Sequence, residues 1–317
     1  MPEWPNGADS KSVGLVPTKV RILLPAFNKM KIVATHDGSF HADEIFAIAI
    51  LKMVYPKIKV IRTRDPKEYS KANYLVDIGL KYNPKKGYFD HHQKEGAGKR
   101  KNQVPYSSAG LVWKHFGLKI TKDKEIFERI DKRMIQSIDV EDNGVQIKCH
   151  IGNFTPYTIN AVIATFRLSV KNKKFEDSFN KAVNFAKELL EREISYLANA
   201  TKEKKIVEKL IKKSKNKECL ILPKQYAWQM AVDNSPELKF VIYPYSKDLW
   251  ASKAIAKKGA IFEYRKLFPK QWAGLKKEQF ELKSKVKGAE FCHSKRFVIF
   301  AKSKKAIVKL VGLALKS

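Results

Sequence analysis

The sequence predicts an α/β protein with an N-terminal domain built on a mostly parallel sheet, a linking helix and a smaller C-terminal α+β domain. Three observations predict this fold class. Short apolar strands alternate with helices in the first part of the chain, which is typical of parallel sheets. A long helical pattern with one apolar face follows. The remaining hundred or so residues return to short alternating runs, and 317 residues suit two domains better than one.

The first part of the chain supplies the strands of the predicted parallel sheet. Apolar runs over 31–35, 59–63, 74–78 and 87–90 read as strands, and 43–55 reads as a strongly apolar helix closed by Pro56. In such sheets ligands bind beyond the carboxyl ends of the strands. His36 and Asp77 fall at those ends, and Asp90 opens the loop after its own strand. We therefore expect a site at this edge of the sheet.

The rest of the chain continues with helices and then changes character. Helices are expected over 107–116, about 122–138, 155–168 and 175–213. The last of these is the long, highly charged helix. Strands are expected over 219–222, 240–245, 250–256, 291–292 and 297–301, and a final helix over 304–315. The change in character near Asn216 divides the chain into 30–174, a linking helix over 175–214, and 215–317.

Residues 1–29 have neither helical nor strand periodicity, and they match neither a signal peptide nor a transit peptide. The peptide around Val20-Arg21-Ile22 resembles translated transfer RNA sequence. We therefore expect Met30 to be the true start and 1–29 to be a non-native leader, with a disordered extension as the alternative.

The composition is strongly basic, with 63 Lys and Arg against 32 Asp and Glu and a formal net charge of +31. Such a field favours polyanions, namely RNA, DNA, nucleotides or an anionic membrane surface. A general bias toward lysine explains the excess equally well, because basic residues are spread over the whole chain. The charge supports a nucleic-acid partner without establishing one.

The cysteines and the hydropathy argue against several classes of protein. Cys149, Cys219 and Cys292 are far apart and form no CxxC pair, so neither a disulfide framework nor a thiolate zinc site is predicted. A reducing cytoplasm fits best. No apolar run approaches the ~20 residues that cross a bilayer, so no membrane partner is expected. The sequence leaves open whether the protein forms an oligomer.

Histidines and acids at the strand ends have the chemistry of a metal site. The candidate ligands are His36, His41, Asp43, Asp77, His91 and one of Asp139 or Asp142. They are too many for one tetrahedral ion, so we expect two divalent ions, about 3.5–4 Å apart, that share a carboxylate and a bridging hydroxide nucleophile. Imidazole with carboxylate suits Mn²⁺, Zn²⁺ or Fe²⁺, whereas an all-oxygen set would favour Mg²⁺ or Ca²⁺.

Simpler interpretations exist for single residues of this set. Asp43 could only cap its helix, and a lone histidine such as His36 is more often packed or capping than a ligand. Asp90 more plausibly orients His91 than binds metal. The grouping of four of the seven histidines at two strand ends favours the metal site.

These motifs resemble two nested families. The triplet Asp90-His91-His92, with the upstream histidine and acid motif and the isolated Asp77, resembles the DHH phosphoesterase superfamily. Five longer motifs look like the melanocyte proliferating gene 1 family: 36-HDGSFHADE-44, 62-RTRDP-66, 88-YFDHHQ-93, 107-SSAGLVW-113 and 138-IDVEDNG-144. The similarity continues through 240-FVIY-243, 272-WAGL-275 and 291-FCH-293, and covers the chain from about Met30 to the C-terminus.

The resemblance implies a DHH-type catalytic domain over 30–174 and a substrate-binding domain over 215–317 that closes on a phosphate-containing substrate. It implies that His36 and His41 hold one ion, that Asp43 and His91 hold the other, and that Asp77 bridges them. The scissile phosphate would face His92, with Asp90 beside it. Both Asp139 and Asp142 sit in the matching motif, and Asp139 is slightly preferred.

Two departures from the related enzymes matter. Many DHH enzymes have an acid at the position of His41, so this site carries one negative charge less. Relatives also tend to have a glycine-rich polar segment after the strand that ends at His293, where this chain has the apolar run 297–303. Substrate binding at this loop is then expected from His293 with Lys302 and Ser303.

The expected function is a Mn²⁺-dependent or Mg²⁺-dependent phosphodiesterase, most simply a 3′-to-5′ exonuclease on RNA. An RNA strand would be held by basic residues such as Lys99, Arg100 and Lys101, and tryptophans are available for stacking, namely Trp228, Trp250 and Trp272. Core packing is the simpler role for each tryptophan. The alternatives are a small-molecule phosphoesterase for a dinucleotide-type ligand and a non-catalytic RNA-binding protein.

Overall fold

The computed structural model describes residues 29–145, 156–167, 174–260 and 262–317. The predicted leader therefore lies outside the described residues, except for Lys29. The chain divides into two compact units, one ending at Tyr196 and one running from Leu197 to Ser317. Among the described residues, no helix is both long enough and apolar enough to cross a membrane.

The first unit is built on a five-stranded sheet. Its strands are β1 (Lys31–Thr35), β2 (Ile58–Arg62), β3 (Tyr74–Val76), β4 (Tyr82–Asn83) and β5 (Tyr88–Phe89). They lie in the order β2-β1-β3-β5-β4, and every pair is parallel except β4 with β5. The prediction of a mostly parallel sheet in an α/β protein is confirmed.

Seven α-helices begin in the described part of the first unit. They are α1 (Ala42–Val54), α2 (Pro66–Tyr69), α3 (Ser108–Thr121), α4 (Lys124–Ile130), α5 (Gln136–Asp142), α6 (Ile159–Ala164) and α7 (Phe175–Lys213). A π-helical turn over Asp131–Ile135 joins α4 to α5. The long helix α7 has the bounds expected from its pattern and ends in the second unit.

Helix α1 is the centre of the first unit's core. Every residue of α1 except Lys52 is buried, as expected for a helix that is apolar on all sides. It packs most extensively on α3. Its first turn nevertheless holds Asp43 and Glu44, both fully buried. Two carboxylates at the end of an apolar helix are costly unless something balances their charge.

The second unit is a five-stranded mixed sheet with helices on it. Its strands are β6 (Cys219–Ile221), β7 (Phe240–Ser246), β8 (Leu249–Ala254), β9 (Ala289–Cys292) and β10 (Val298–Ala301), and its helices are α8 (Lys277–Ser284) and α9 (Lys304–Lys316). The strand order is β6-β7-β8-β10-β9, with only β6 and β7 parallel. One core cluster includes Ile299, Ala301, Ile307 and Leu310, and another joins Val207 of α7 to the sheet.

Some expected elements differ from the structure. The helix expected over about 122–138 continues to Asp142 and is interrupted by the π-helical turn. Helix α8 was not predicted, and only Ile159–Ala164 of the helix expected over 155–168 is helical in the described part of the chain. The finer domain boundaries at 174 and 214 stay a prediction.

Candidate metal centre

Strand ends and helix ends bring acidic and imidazole side chains together at one edge of the first sheet. His36 follows β1, Asp77 follows β3 and Asp90 follows β5. Helix α1 begins at this edge, and α5 ends there. We call the following residues the metal cluster: His36, His41, Asp43, Glu44, Asp77, His91, His92 and Asp142.

Asp77 lies between the histidines of the metal cluster. Its Oδ2 is 3.4 Å from His36 Nε2, and its Oδ1 is 3.5 Å from His91 Nε2 and 3.4 Å from His92 Nδ1. Ser108 Oγ donates a hydrogen bond to the same Oδ1. The backbone of Asp77 has a φ of 60°, a left-handed conformation that costs a non-glycine residue free energy and is concentrated at functional sites.

Four overlapping sets of side chains have the spacing of metal ligands, since their ligand atoms lie within 4.8 Å of one another. These sets are His36, His41 and Glu44; Asp77, His91 and His92; Asp43, His91 and Asp142; and Asp43, Glu44 and Asp77. Together the four sets include every residue of the metal cluster.

The buried oxygens of this cluster fit a cation. Among the described residues, both carboxylate oxygens of Asp43 and Oε2 of Glu44 are buried without a hydrogen-bond partner. The nearby Nε2 of His91 lies 2.9 Å from Asp142 Oδ2 and 3.9 Å from Asp43 Oδ2. Buried carboxylates are normally hydrogen-bonded, paired or bound to metal. Imidazole and carboxylate donors together are a ligand set for divalent transition metals, so the residues can hold metal ions.

Without metal, protons on the histidines balance the acids. Burial lowers the pKa of His36, but hydrogen bonds to Asp77 and Glu44 outweigh it and raise the pKa to about 10. Burial likewise opposes protonation of His91, and bonds to Asp142 and Asp77 raise its pKa to about 10. A metal ion must therefore displace these protons before it can bind the two rings.

The pKa values of Asp43 and Asp77 are shifted in opposite directions. Burial, followed by repulsion from Asp77, Asp142 and Glu44, raises the pKa of Asp43 well above its usual value. Burial also opposes ionisation of Asp77, but hydrogen bonds from His36 and His91 outweigh it and hold its pKa below the usual range. Such opposed shifts among neighbouring carboxyls are typical of functional sites.

Glu44 is a member of the cluster that the sequence analysis missed. Its Oε1 accepts a hydrogen bond from the His41 backbone N–H at 2.8 Å and lies 3.1 Å from His36 Nε2. The first contact is half of a capping box, which gives glutamate at this position an ordinary structural role. The signal for a further role was its place at the start of an otherwise apolar, buried helix.

The structure separates Asp139 from Asp142. Oδ1 of Asp139 accepts hydrogen bonds from the Ser107 N–H and Oγ and from the Gly110 N–H. Its Oδ2 lies 2.6 Å from Arg100 Nη1. Asp142 instead faces His91. This placement favours Asp142 as the metal ligand, the reverse of the order expected from the sequence.

Arg100 is not placed as expected for a substrate-binding residue. Its guanidinium is buried and also pairs with Asp131, at 2.6 Å from Nη2 to Oδ1 and 2.9 Å from Nε to Oδ2. Arg100, Asp131 and Asp139 form what we call the arginine-paired cluster. The neighbouring Lys99 and Lys101 are exposed, so they remain accessible to a ligand.

Asp90 holds His92 rather than His91, which corrects the expected pairing. Asp90 Oδ1 accepts hydrogen bonds from the His92 backbone N–H at 3.0 Å and lies 2.9 Å from His92 Nδ1. The Leu80 N–H donates to Oδ2. The bond to Asp90 raises the pKa of His92, more than burial lowers it. With 53% of its side chain exposed, His92 can present its other ring nitrogen to a ligand.

Three arginines hold the loop between His36 and His41. Arg62 donates to the Gly38 carbonyl, Arg64 Nε to Asp37 Oδ1 at 2.9 Å, and Arg167 Nε to the Phe40 carbonyl at 2.6 Å. The Arg62 side chain is only 6% exposed and lies against the rings of three phenylalanines, namely Phe40, Phe175 and Phe179. Sequence patterns did not predict these roles of Arg62 and Arg167.

A cleft of about 790 Å³ opens onto the metal cluster. Its lining includes His36, His41, Asp77, His92 and Asp142, which supply metal-binding groups. The described lining also includes two arginines, Arg64 and Arg167, and an apolar side with Ile78 and Leu80. The cleft thus brings carboxylates, imidazoles and guanidinium groups to one cavity, a combination that suits an anionic ligand bound with metal.

The expected substrate-binding residues of the second unit have local roles. His293 Nδ1 accepts a hydrogen bond from the Lys295 N–H, and Lys302 Nζ lies 3.0 Å from Glu290 Oε1 while its side chain is 67% exposed. Ser303 Oγ caps α9 by accepting from the Ala306 N–H. Trp228 and Trp272 are buried, which agrees with core packing.

Comparison with known proteins points to the same family as the sequence motifs do. A family model described as MYG1_exonuc, uncharacterised protein family UPF0160, matches residues 32–315. The chain is 31% identical to the MYG1 protein of Chlamydia muridarum over 294 residues, which covers 90% of this chain and 96% of that one. It is 27% identical to the MYG1 protein YER156C of Saccharomyces cerevisiae, with the same coverage.

A mouse relative has a name that states an activity. The chain is 26% identical to the MYG1 exonuclease of Mus musculus, over 84% of this chain and 80% of the mouse protein. The match of the family model over most of the sequence, together with these relatives, shows that the chain belongs to the melanocyte proliferating gene 1 (MYG1) family.

Proposed function

We propose that the protein is a metal-dependent phosphodiesterase of the DHH superfamily, acting as a 3′-to-5′ exonuclease on RNA. The observation that carries the proposal is the set of buried carboxylate oxygens without partners among the described residues, in a metal cluster whose other members line a cleft together with two arginines. The MYG1 exonuclease names of mammalian relatives support a nuclease. A net charge of +31 supports a nucleic-acid substrate.

Two divalent ions fit the ligand sets best. His36 and His41, with Glu44 beside them, would hold one ion. Asp43, His91 and Asp142 would hold the other, and Asp77 would be shared. Mn²⁺ is preferred because the donors mix imidazole and carboxylate, with Mg²⁺ as the alternative. When bound, such a pair supplies Lewis-acid stabilisation and a nucleophile at neutral pH.

The protein's own groups orient the substrate and supply a proton. His92 is held by Asp90 through Nδ1, which leaves Nε2 free to donate a hydrogen bond or a proton to a phosphate oxygen. The hydrogen bond to Asp90 raises the pKa of His92, which favours the protonated ring. Arg64 and Arg167 on the cleft wall would contact phosphate oxygens through bidentate hydrogen bonds.

The size of the cleft favours a second candidate function, that of a small-molecule phosphoesterase. A cavity of about 790 Å³ lies in the range of small-ligand sites, so a dinucleotide-type phosphoester could be the whole substrate. Both candidates use the same ions and the same histidine. Preference for chain length separates them.

The test compares the full chain with its Asp77→Asn variant on 5′-labelled single-stranded RNA and on a dinucleotide, with Mn²⁺, Mg²⁺ or chelator. We expect a metal-dependent ladder that shortens from the 3′ end and is lost, by at least about 10³-fold, in Asp77→Asn. The exposed Asp233→Asn is the matched control. Cleavage of the dinucleotide alone would select the small-molecule function, and unchanged activity of Asp77→Asn would refute the metal assignment.

We also propose a reducing, cytoplasmic location. Cys219 and Cys292 are free and buried, and burial raises the pKa of each thiol to about 12. Thiols with such pKa values are poorly reactive. Fractionation of the cell with an antibody against the protein would test this location.

A further inference from the structure

A row of aromatic rings lies on the sheet of the second unit. Ring centroids are 5.0 Å apart for Tyr245 and Phe300, 6.1 Å for Phe300 and Phe291, and 6.3 Å for Phe291 and His293. We call these four residues the aromatic platform. The row continues through Phe297, 4.4 Å from His293.

The strand register explains why these rings are next to one another. Phe300 of β10 is paired directly with Phe291 of β9. Side chains alternate between the faces of a strand, and Ile299 and Ala301 point into the core cluster that includes α9. Phe300 therefore lies on the opposite face, where it packs at the margin of the other core cluster.

The platform is accessible rather than buried. None of its four rings belongs to the buried class, and Tyr245 is 54% exposed. Large aromatic side chains contribute to core packing when they are covered. Here Phe300 packs against a core cluster, and all four rings keep part of their surface accessible, as rings that stack nucleobases must.

Exposed lysines lie close to the platform residues in the sequence. Lys247, Lys295 and Lys302 lie two residues along the chain from Tyr245, His293 and Phe300, and Lys302 Nζ is 3.0 Å from Glu290 Oε1. The second unit as a whole has 29 Lys and Arg against 10 Asp and Glu over residues 197–317. Alternating rings and positive charges match the bases and phosphates of one nucleic-acid strand. A protein partner of ordinary composition would not require this charge.

We propose that the aromatic platform binds single-stranded nucleic acid, with bases stacked on Phe291 and Phe300 and with phosphates held by the exposed lysines. The choice of ligand rests on the proposed nuclease function. This surface differs from the tryptophans expected from the sequence, because Trp228 and Trp272 are buried and Trp250 packs against the core.

The test measures binding without cleavage. The full chain in chelator is titrated into fluorescent single-stranded RNA of about twelve nucleotides and into an abasic strand of equal length. We expect Phe291→Leu and Phe300→Leu each to weaken binding to the base-containing strand by about tenfold and to leave abasic binding unchanged. Leucine keeps the apolar contacts below each ring, and Tyr245→Ala is a second variant at an exposed position.

The controls separate stacking from charge and from folding. Tyr157→Leu removes an aromatic ring that is 73% exposed in the first unit and should change nothing. Lys302→Gln should weaken binding to both strands equally. A DNA strand of the same sequence should respond to the leucine variants as RNA does, since stacking does not use the 2′-hydroxyl.

Two outcomes would overturn the proposal: leucine variants that bind as the wild type does, or an equal loss for the abasic strand. The proposed nuclease function fails in a different way. If base-dependent binding to the platform is found but no strand is cleaved under any metal, the platform stands and the nuclease does not. If cleavage is found and the leucine variants bind normally, the nuclease stands and the platform does not.

Discussion

The first unit contains two clusters of buried charge that differ in how their acids are balanced. In the arginine-paired cluster, Asp139 accepts three hydrogen bonds at one oxygen and faces the Arg100 guanidinium with the other. In the metal cluster, Asp43 is equally buried, but neither of its oxygens has a hydrogen-bond partner among the residues that the structure describes. Burial of an acid therefore does not identify a functional site.

What separates the two clusters is the presence of a protein cation. Arg100 neutralises its acids permanently, at 2.6 Å from oxygens of both Asp131 and Asp139. The metal cluster offers only histidines, whose charge depends on their protons. An exchangeable charge is what an ion-binding site requires, so this difference can be tested by mutation and by pH.

The largest expected effect is on stability, in the arginine-paired cluster. Asp139→Ala leaves the Arg100 guanidinium buried with less charge compensation and removes the acceptor from the first amides of α3. We expect the free energy of unfolding to fall by about 3–5 kcal/mol. Chemical denaturation in chelator, with hydrogen exchange at the start of α3, measures it.

The matched control is Asp142→Ala, three residues away. Asp142 lies at the cleft, and in the described part of the chain its carboxylate pairs with a histidine that can lose its proton. Its removal should therefore cost much less stability and should weaken Mn²⁺ binding. Equal destabilisation by the two variants would remove the distinction between the clusters.

A second effect is the pH dependence of metal binding. His36 and His91 have pKa values of about 10 without metal, and a bound ion requires their neutral rings. Binding should therefore release about two protons from these rings, and their loss should raise Mn²⁺ affinity by up to about 100-fold from pH 7 to pH 8. Calorimetry in buffers of different ionisation enthalpy counts the protons.

The stability of the metal-free protein should change with pH in the opposite direction to its Mn²⁺ affinity. Because the folded pKa values of His36 and His91 lie above the ordinary 6.5, their stabilisation is complete below about pH 6.5 and is lost as the pH rises through about 10. Metal-free protein should thus lose stability in alkaline buffer while Mn²⁺ binding improves. A metal affinity that does not change with pH would contradict the assignment of these histidines.

The edge of the sheet where the site lies could be predicted from the sequence. Parallel strands collect their carboxyl ends at one edge, and His36, Asp77 and His91 each follow an apolar run. That argument needs only local patterns and one rule of topology. It correctly brought residues together that are up to 55 positions apart in the chain.

The partners of individual acids could not be predicted in this way. Asp139 and Asp142 are three residues apart and so are neighbours on the surface of α5. Their roles differ because α3 approaches Asp139 so closely that a Cβ at Gly110 would lie 2.1 Å from Oδ2. That contact and the pairing with Arg100 both depend on tertiary packing. The spacing of the acids in the sequence does not determine it.

The smallest expected effect concerns the loop of the metal cluster. Arg62 is a buried cation like Arg100, but it donates to the Gly38 carbonyl instead of neutralising a buried acid. Its other partner, Glu176, is mostly exposed and can be solvated when unpaired. Arg62→Met keeps the packing against the phenylalanine rings and removes the donor. We expect Mn²⁺ affinity to fall by about 10–100-fold, as for other residues that orient metal ligands.

Arg64→Met is the matched control for this prediction. Arg64 also bonds to the loop, but its side chain is 67% exposed and its acceptor, Asp37 Oδ1, is accessible to water. Its loss should leave Mn²⁺ affinity within about threefold, because exposed ion pairs contribute little. Affinity is measured by calorimetry rather than by turnover, since Arg64 lines the cleft and would affect the substrate. If the two variants bind Mn²⁺ equally well, the loop does not depend on Arg62, and the histidines are positioned by their strand and helix alone.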